Sequence, residues 1–160
     1  MNTLAQIFNW KRAIIASVVV LFLLIVFNFY GIYTHKFYFT NPKNFLFPLL
    51  TTAHFLYLYV LWFKISEDEL PDPKMRNIEY ALYAILIVYC FKIYESAMML
   101  ASLSTFTEHV IPPTFKPIGI IALSLYSLLP ILTFYTFWLR KRYVGTYNFE
   151  NYNNNLNIWQ

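Results

Sequence analysis

Four long stretches without a charged residue at their centres dominate this chain and leave it little choice of architecture. They run over 13–33, 45–63, 78–100 and 118–139. Each is close to the ~20 residues that carry a helix across ~30 Å of hydrocarbon. No water is present there to satisfy peptide groups, so the backbone must close its own hydrogen bonds and helices are forced. A transmembrane β-barrel would need alternating polarity, and none of the four runs alternates. The β-branched and aromatic residues within them therefore do not argue for strands. The fold expected is all-α: an integral membrane four-helix transmembrane bundle in a single unit, 1–142, followed by a tail over 143–160.

Composition points the same way. Charged residues make up 12% and hydrophobic residues 59%, against about 25% and 45–50% in a soluble domain. That balance excludes disorder and argues against a water-soluble globule. Lone Cys90 excludes an internal disulfide, a CxxC redox pair and a cysteine zinc site. Three glycines leave no material for a glycine-rich phosphate loop. The apolar run after Lys11 and Arg12 is too long for a signal-peptide core, and no small-residue cleavage pattern follows, so it reads as a span. Before it, Leu4, Ile7 and Phe8 have helical spacing, which suits a short surface helix with Trp10 at the headgroups.

Lys and Arg fix a direction. Eight of them (Lys11, Arg12, Lys64, Lys74, Arg76, Arg140, Lys141, Arg142) fall on one side of the expected spans. Lys36, Lys43 and Lys116 fall on the other, and Lys92 lies inside the third span. The richer side is expected to face the cytoplasm, or an organelle's matrix or stroma, with both termini on it. A bacterial or organellar inner membrane fits that pattern. The basic residues flank spans and form no stripe, so the net charge of +4 is not the footprint of a nucleic-acid partner. Asp72-Pro73 reads as the N-cap and first residue of the third helix. The acidic loop before it (Glu67, Asp68, Glu69) lacks the spacing and glycine of a calcium loop and reads as a solvated connector.

Ionisable residues at membrane depth cost roughly 2.5–3.5 kcal/mol each on insertion scales and so ask for partners. Lys92 and Glu95 are three apart and can pair on their own helix. Counted from the span ends, His54, Lys92, Glu95 and Asn28 fall at similar depths in the outer half, with Ser124 and Tyr126 of the fourth span nearby. This layer is the candidate ligand, ion or proton site; its plainer alternative is a hydrogen-bonded core that sets helix register. Haem needs an axial ligand and usually two, and His54 is the only histidine deep in a span. His35, His109 and Glu108 sit at the outer boundary with no fixed spacing, so no metal site is assigned. Ala97 and Ala101, with Ser96 beside them, offer a small-residue packing stripe. Pro130 should kink the fourth span near Tyr126. The asparagine-rich tail carries Phe149, Tyr152 and Trp159 as candidate anchors for a partner.

No catalytic motif or paired intramembrane carboxylates stand out. The leading expectation is a non-enzymatic subunit of a larger membrane assembly, in contact with lipid and with other membrane subunits or copies of itself. A homo-oligomeric ion channel using the polar layer is one alternative. A quinone- or haem-binding protein of an electron-transfer complex is the other. Bound lipid is expected; a resident cofactor is not.

Overall fold

Each apolar run closes its backbone hydrogen bonds as a helix in the computed structural model, which describes residues 9–102 and 112–147. The helices are α1 (Trp10–Phe29), α2 (Leu46–Ser66), α3 (Pro73–Ala101) and α4 (Phe115–Tyr143). A single 3-10 turn, Pro42–Phe45, leads directly into α2. All four helices are long and apolar enough to cross a membrane. The surface helix expected over the first eight residues lies outside the described residues.

Local chemistry explains the helix ends. The Asp72 carboxylate accepts the Met75 N–H at 2.7 Å, and Pro73 follows as the first helical residue. Its lack of an N–H is harmless there, because first-turn donors have no intrahelical acceptor. Pro117 sits in the first turn of α4 for the same reason. Pro130 lies inside α4, which continues past it to Tyr143. The helices differ from the expected spans chiefly in length. α3 starts at Pro73, where the Asp72-Pro73 cap places it, one polar turn ahead of the apolar stretch from Ile78. α1 stops at Phe29 because Tyr30 and Gly31 turn out to form strand β1, paired antiparallel with β2 (Lys36–Phe37).

That hairpin was not foreseen. Its first strand needs Gly31: a Cβ there would stand 2.5 Å from Tyr38 Cε2 and 2.7 Å from Thr34 Oγ1. His35 closes the turn with φ of 53°, a backbone region uncommon for residues other than glycine. Its ring accounts for that position. Nδ1 lies 2.7 Å from the Tyr30 hydroxyl and Nε2 lies 3.1 Å from Thr114 Oγ1, so His35 ties the hairpin to the start of α4.

The four helices stand in sequence order around a ring, with α4 closing on α1. Leu21, Leu24, Leu58, Leu61, Leu82 and Leu129 fill the centre. Phe47 meets both Tyr89 and Tyr126, and Tyr57 meets Phe137 edge-on at 5.5 Å. In an apolar solvent such contacts act through close packing rather than through exclusion of water. α3 and α4 pack tightly at Gly119, where a Cβ would come within 2.7 Å of Leu100 Cδ2. At the opposite end, the α2–α3 loop is exposed over 66–70, and Lys64 anchors it. Lys64 is buried and pairs with Glu69 at 2.7 Å and Asp72 at 3.1 Å.

Candidate functional site

The end of the bundle that carries the hairpin holds a cavity of about 240 Å³ between α1, α3 and α4. Helical periodicity puts its polar lining together. Lys92, Glu95, Ser96 and Met99 share one face of α3 at spacings of three and four. Asn28 of α1 and Tyr126 of α4 face them across the space. Lys92 Nζ donates to Glu95 Oε2 at 2.7 Å. Both side chains keep solvent-accessible surface, 27% for Lys92 and 51% for Glu95, so the pair borders the cavity instead of being sealed in the core. Asn28 Nδ2 donates to the Asn44 carbonyl, and Asn44 Nδ2 in turn donates to the Tyr38 carbonyl at 2.9 Å. The mouth is thereby fastened to the hairpin.

Three members of the sequence-derived layer, Asn28, Lys92 and Glu95, thus line one space. His54 does not. Its ring is fully buried, stacked on Tyr89, with Nδ1 at 3.0 Å from the Tyr89 hydroxyl. Nε2 is buried with no hydrogen-bond partner among the described residues. Ser124 turns its hydroxyl back to the Ile120 carbonyl at 2.8 Å from an exposed position. Ala97 is half-buried and Ala101 exposed, while Ser96 lines the cavity. No group of three or more His, Cys, Asp or Glu able to hold a metal ion occurs among the described residues. His109, Glu108, Phe149, Tyr152 and Trp159 lie outside them.

A second polar cluster, absent from the sequence reading, sits at the opposite end. Glu79 of α3 is 2% exposed. Arg140 of α4 grips it with both arms of the guanidinium, Nε to Oε2 at 2.9 Å and one terminal nitrogen to Oε1 at 2.8 Å. The Tyr147 hydroxyl donates to the same carboxylate at 2.7 Å, and the Tyr147 ring lies 4.2 Å from the guanidinium. Gly145, at φ of 107°, makes the reversal that brings Tyr147 back. Arg140 seals that turn by donating to the Gly145 carbonyl at 2.9 Å. Partial burial, together with the bond to Glu79, holds the Tyr147 phenol well above its ordinary pKa.

Counted by segment, Arg140 is a flanking charge. Its register shows otherwise: Leu129, Thr133, Thr136 and Arg140 continue one buried face of α4, as Met75, Glu79, Leu82 and Leu86 do on α3. A charge falling on a core stripe at each of two neighbouring helix ends was the available signal.

Comparison with protein-family models, with characterised proteins and with solved structures gave no match.

Proposed function

We propose that this chain is a non-enzymatic, multi-pass membrane protein that acts as a subunit of a larger membrane assembly. One observation carries the reading. α3 is the least covered of the four helices, with 17% of an apolar 18-residue stretch buried against 33–39% in the others. Along its open side run Tyr80, Tyr83, Ile87, Phe91, Tyr94 and Met98, all exposed, at steps of three or four. That is one continuous stripe along the helix. It is rich in tyrosine, whose flat ring offers a large contact area and whose hydroxyl finds partners on another protein but not in hydrocarbon. A second transmembrane helix is the natural cover. In this reading the hairpin end faces outward, and both termini lie on the cytoplasmic (or matrix) side with the greater share of Lys and Arg.

Cys90 is exposed on α3 beside this stripe and provides the probe. Labelling it with a photoactivatable maleimide in native membranes should give a defined adduct with another membrane protein or with a second copy of the chain. Introducing Ile87→Trp and Phe91→Ala should abolish the adduct. A chain that is recovered only as an uncrosslinked monomer, at native expression and in mild detergent, would refute the assembly reading.

A further inference from the structure

We infer that the cavity at the hairpin end is a binding site for a zwitterionic phosphodiester headgroup, such as that of an ethanolamine phospholipid. This goes beyond the assembly reading and does not depend on it, since the cavity face of α3 is turned away from the tyrosine stripe.

The inference starts from charge. Lys92 and Glu95 present a cation and an anion 2.7 Å apart on the wall of a space of about 240 Å³. A purely anionic ligand meets Lys92 but is repelled by Glu95, and a purely cationic one meets the reverse. A ligand with both signs on neighbouring groups satisfies both. Its phosphate accepts from Lys92 Nζ, which has three donors and uses one on Glu95. Its ammonium donates to the Glu95 carboxylate. The four charges then alternate in sign around a ring, and the existing pair is extended rather than broken.

Depth supports the same ligand. α3 has 29 residues, or about 43 Å at 1.5 Å per residue, against about 30 Å of hydrocarbon. Shared equally, the surplus leaves about 7 Å of helix in each headgroup layer. Lys92 lies nine residues before Ala101, so its backbone sits about 7 Å inside the hydrocarbon boundary and its stem reaches toward the boundary. Glu95 is one turn nearer the surface. The charged wall of the cavity is therefore level with phospholipid headgroups. Phe27, Ile32 and Met99 complete the lining with apolar surface, which suits the glycerol end of a lipid.

The test uses the full chain in nanodiscs that contain equal amounts of phosphatidylethanolamine and phosphatidylglycerol. The phosphatidylglycerol headgroup has the phosphodiester without the ammonium. Native mass spectrometry after transfer to mild detergent reads the retained lipid. The wild-type chain should retain the ethanolamine lipid over the glycerol lipid by about tenfold, the scale of one charge-assisted hydrogen bond. Glu95→Gln should remove that preference while phosphodiester binding persists. Lys92→Met should weaken retention of both lipids. The exchange variant, Lys92→Glu with Glu95→Lys, keeps the pair and the fold and should keep the ethanolamine preference. A parallel disc of phosphatidylcholine, and soluble phosphoethanolamine added as competitor, separate a lipid site from one for the free headgroup. Equal retention of both lipids by the wild-type chain, or a preference that Glu95→Gln leaves intact, overturns the proposal.

Discussion

Removing Arg140 should be among the most damaging single changes available in this chain. Glu79 is 2% exposed and receives three hydrogen bonds, two from Arg140 at 2.8 and 2.9 Å and one from Tyr147 at 2.7 Å. Arg140→Ala strips two of these and leaves a carboxylate in a core built for its counter-charge. Breaking one side of a buried pair costs about 3–5 kcal/mol. Glu79→Ala should cost a similar amount, because it strands the guanidinium. The pair replaced as a whole should behave differently. Glu79→Leu with Arg140→Met removes both desolvated charges and fills the space, so it should fall within about 1–2 kcal/mol of wild type. Tyr147→Phe deletes one bond to the carboxylate but keeps the ring on Arg140; its cost should lie near 1.5 kcal/mol, the low end for a bond to a charged group. Steric trapping in bicelles reads these unfolding free energies directly. The Glu79→Ala, Arg140→Ala cycle should be strongly non-additive, with the double variant well short of the summed singles. Additive singles, or singles below about 1 kcal/mol, would refute the claim that this pair ties α3 to α4.

Three further outcomes follow from other parts of the molecule. Gly119→Ala places a methyl within 2.7 Å of Leu100 Cδ2 and should cost about 1–3 kcal/mol by overpacking, with Leu100→Ala as the relieving second change; thermal denaturation in detergent measures both. Burial tends to raise the Asp72 pKa, but the Met75 N–H and the Lys64 ammonium outweigh it, and the group is held below its ordinary value. Its contribution is therefore present above about pH 4, the unfolded carboxylate value, and is lost as pH falls through the lower folded value. Asp72→Ala should cost about 1 kcal/mol at neutral pH through the lost cap and should flatten the acid limb of melting curves taken from pH 6 to 3. Reporter tags at the two chain ends should be reached from the same side of sealed vesicles, because four crossings return the chain to its starting face; tags on opposing faces would refute the four-span reading.

Much of the helical framework was legible because hydrophobic run length alone decides it. The same signal hid the hairpin. Tyr30 and Gly31 continue the apolar run of α1, but they pair with Phe37 and Lys36 across the hairpin instead of extending the helix. Position along each run was readable, and Asn28, Lys92 and Glu95 line one cavity. Azimuth was not. His54 shares their level but points into the core toward Tyr89. The Glu79–Arg140 pair escaped notice for a related reason: counting charges by segment assigns Arg140 to water, whereas its position on the buried face of α4 assigns it to Glu79.

The span of sequence between those two residues has a consequence for how the protein is made. Arg140 is synthesised 61 residues after Glu79. In a chain that inserts in sequence order, the Glu79 carboxylate precedes its Arg140 partner. The two C-terminal helices are thus coupled in time as well as in space, and a chain truncated before Arg140 should stall in biogenesis with its third helix poorly committed to the membrane.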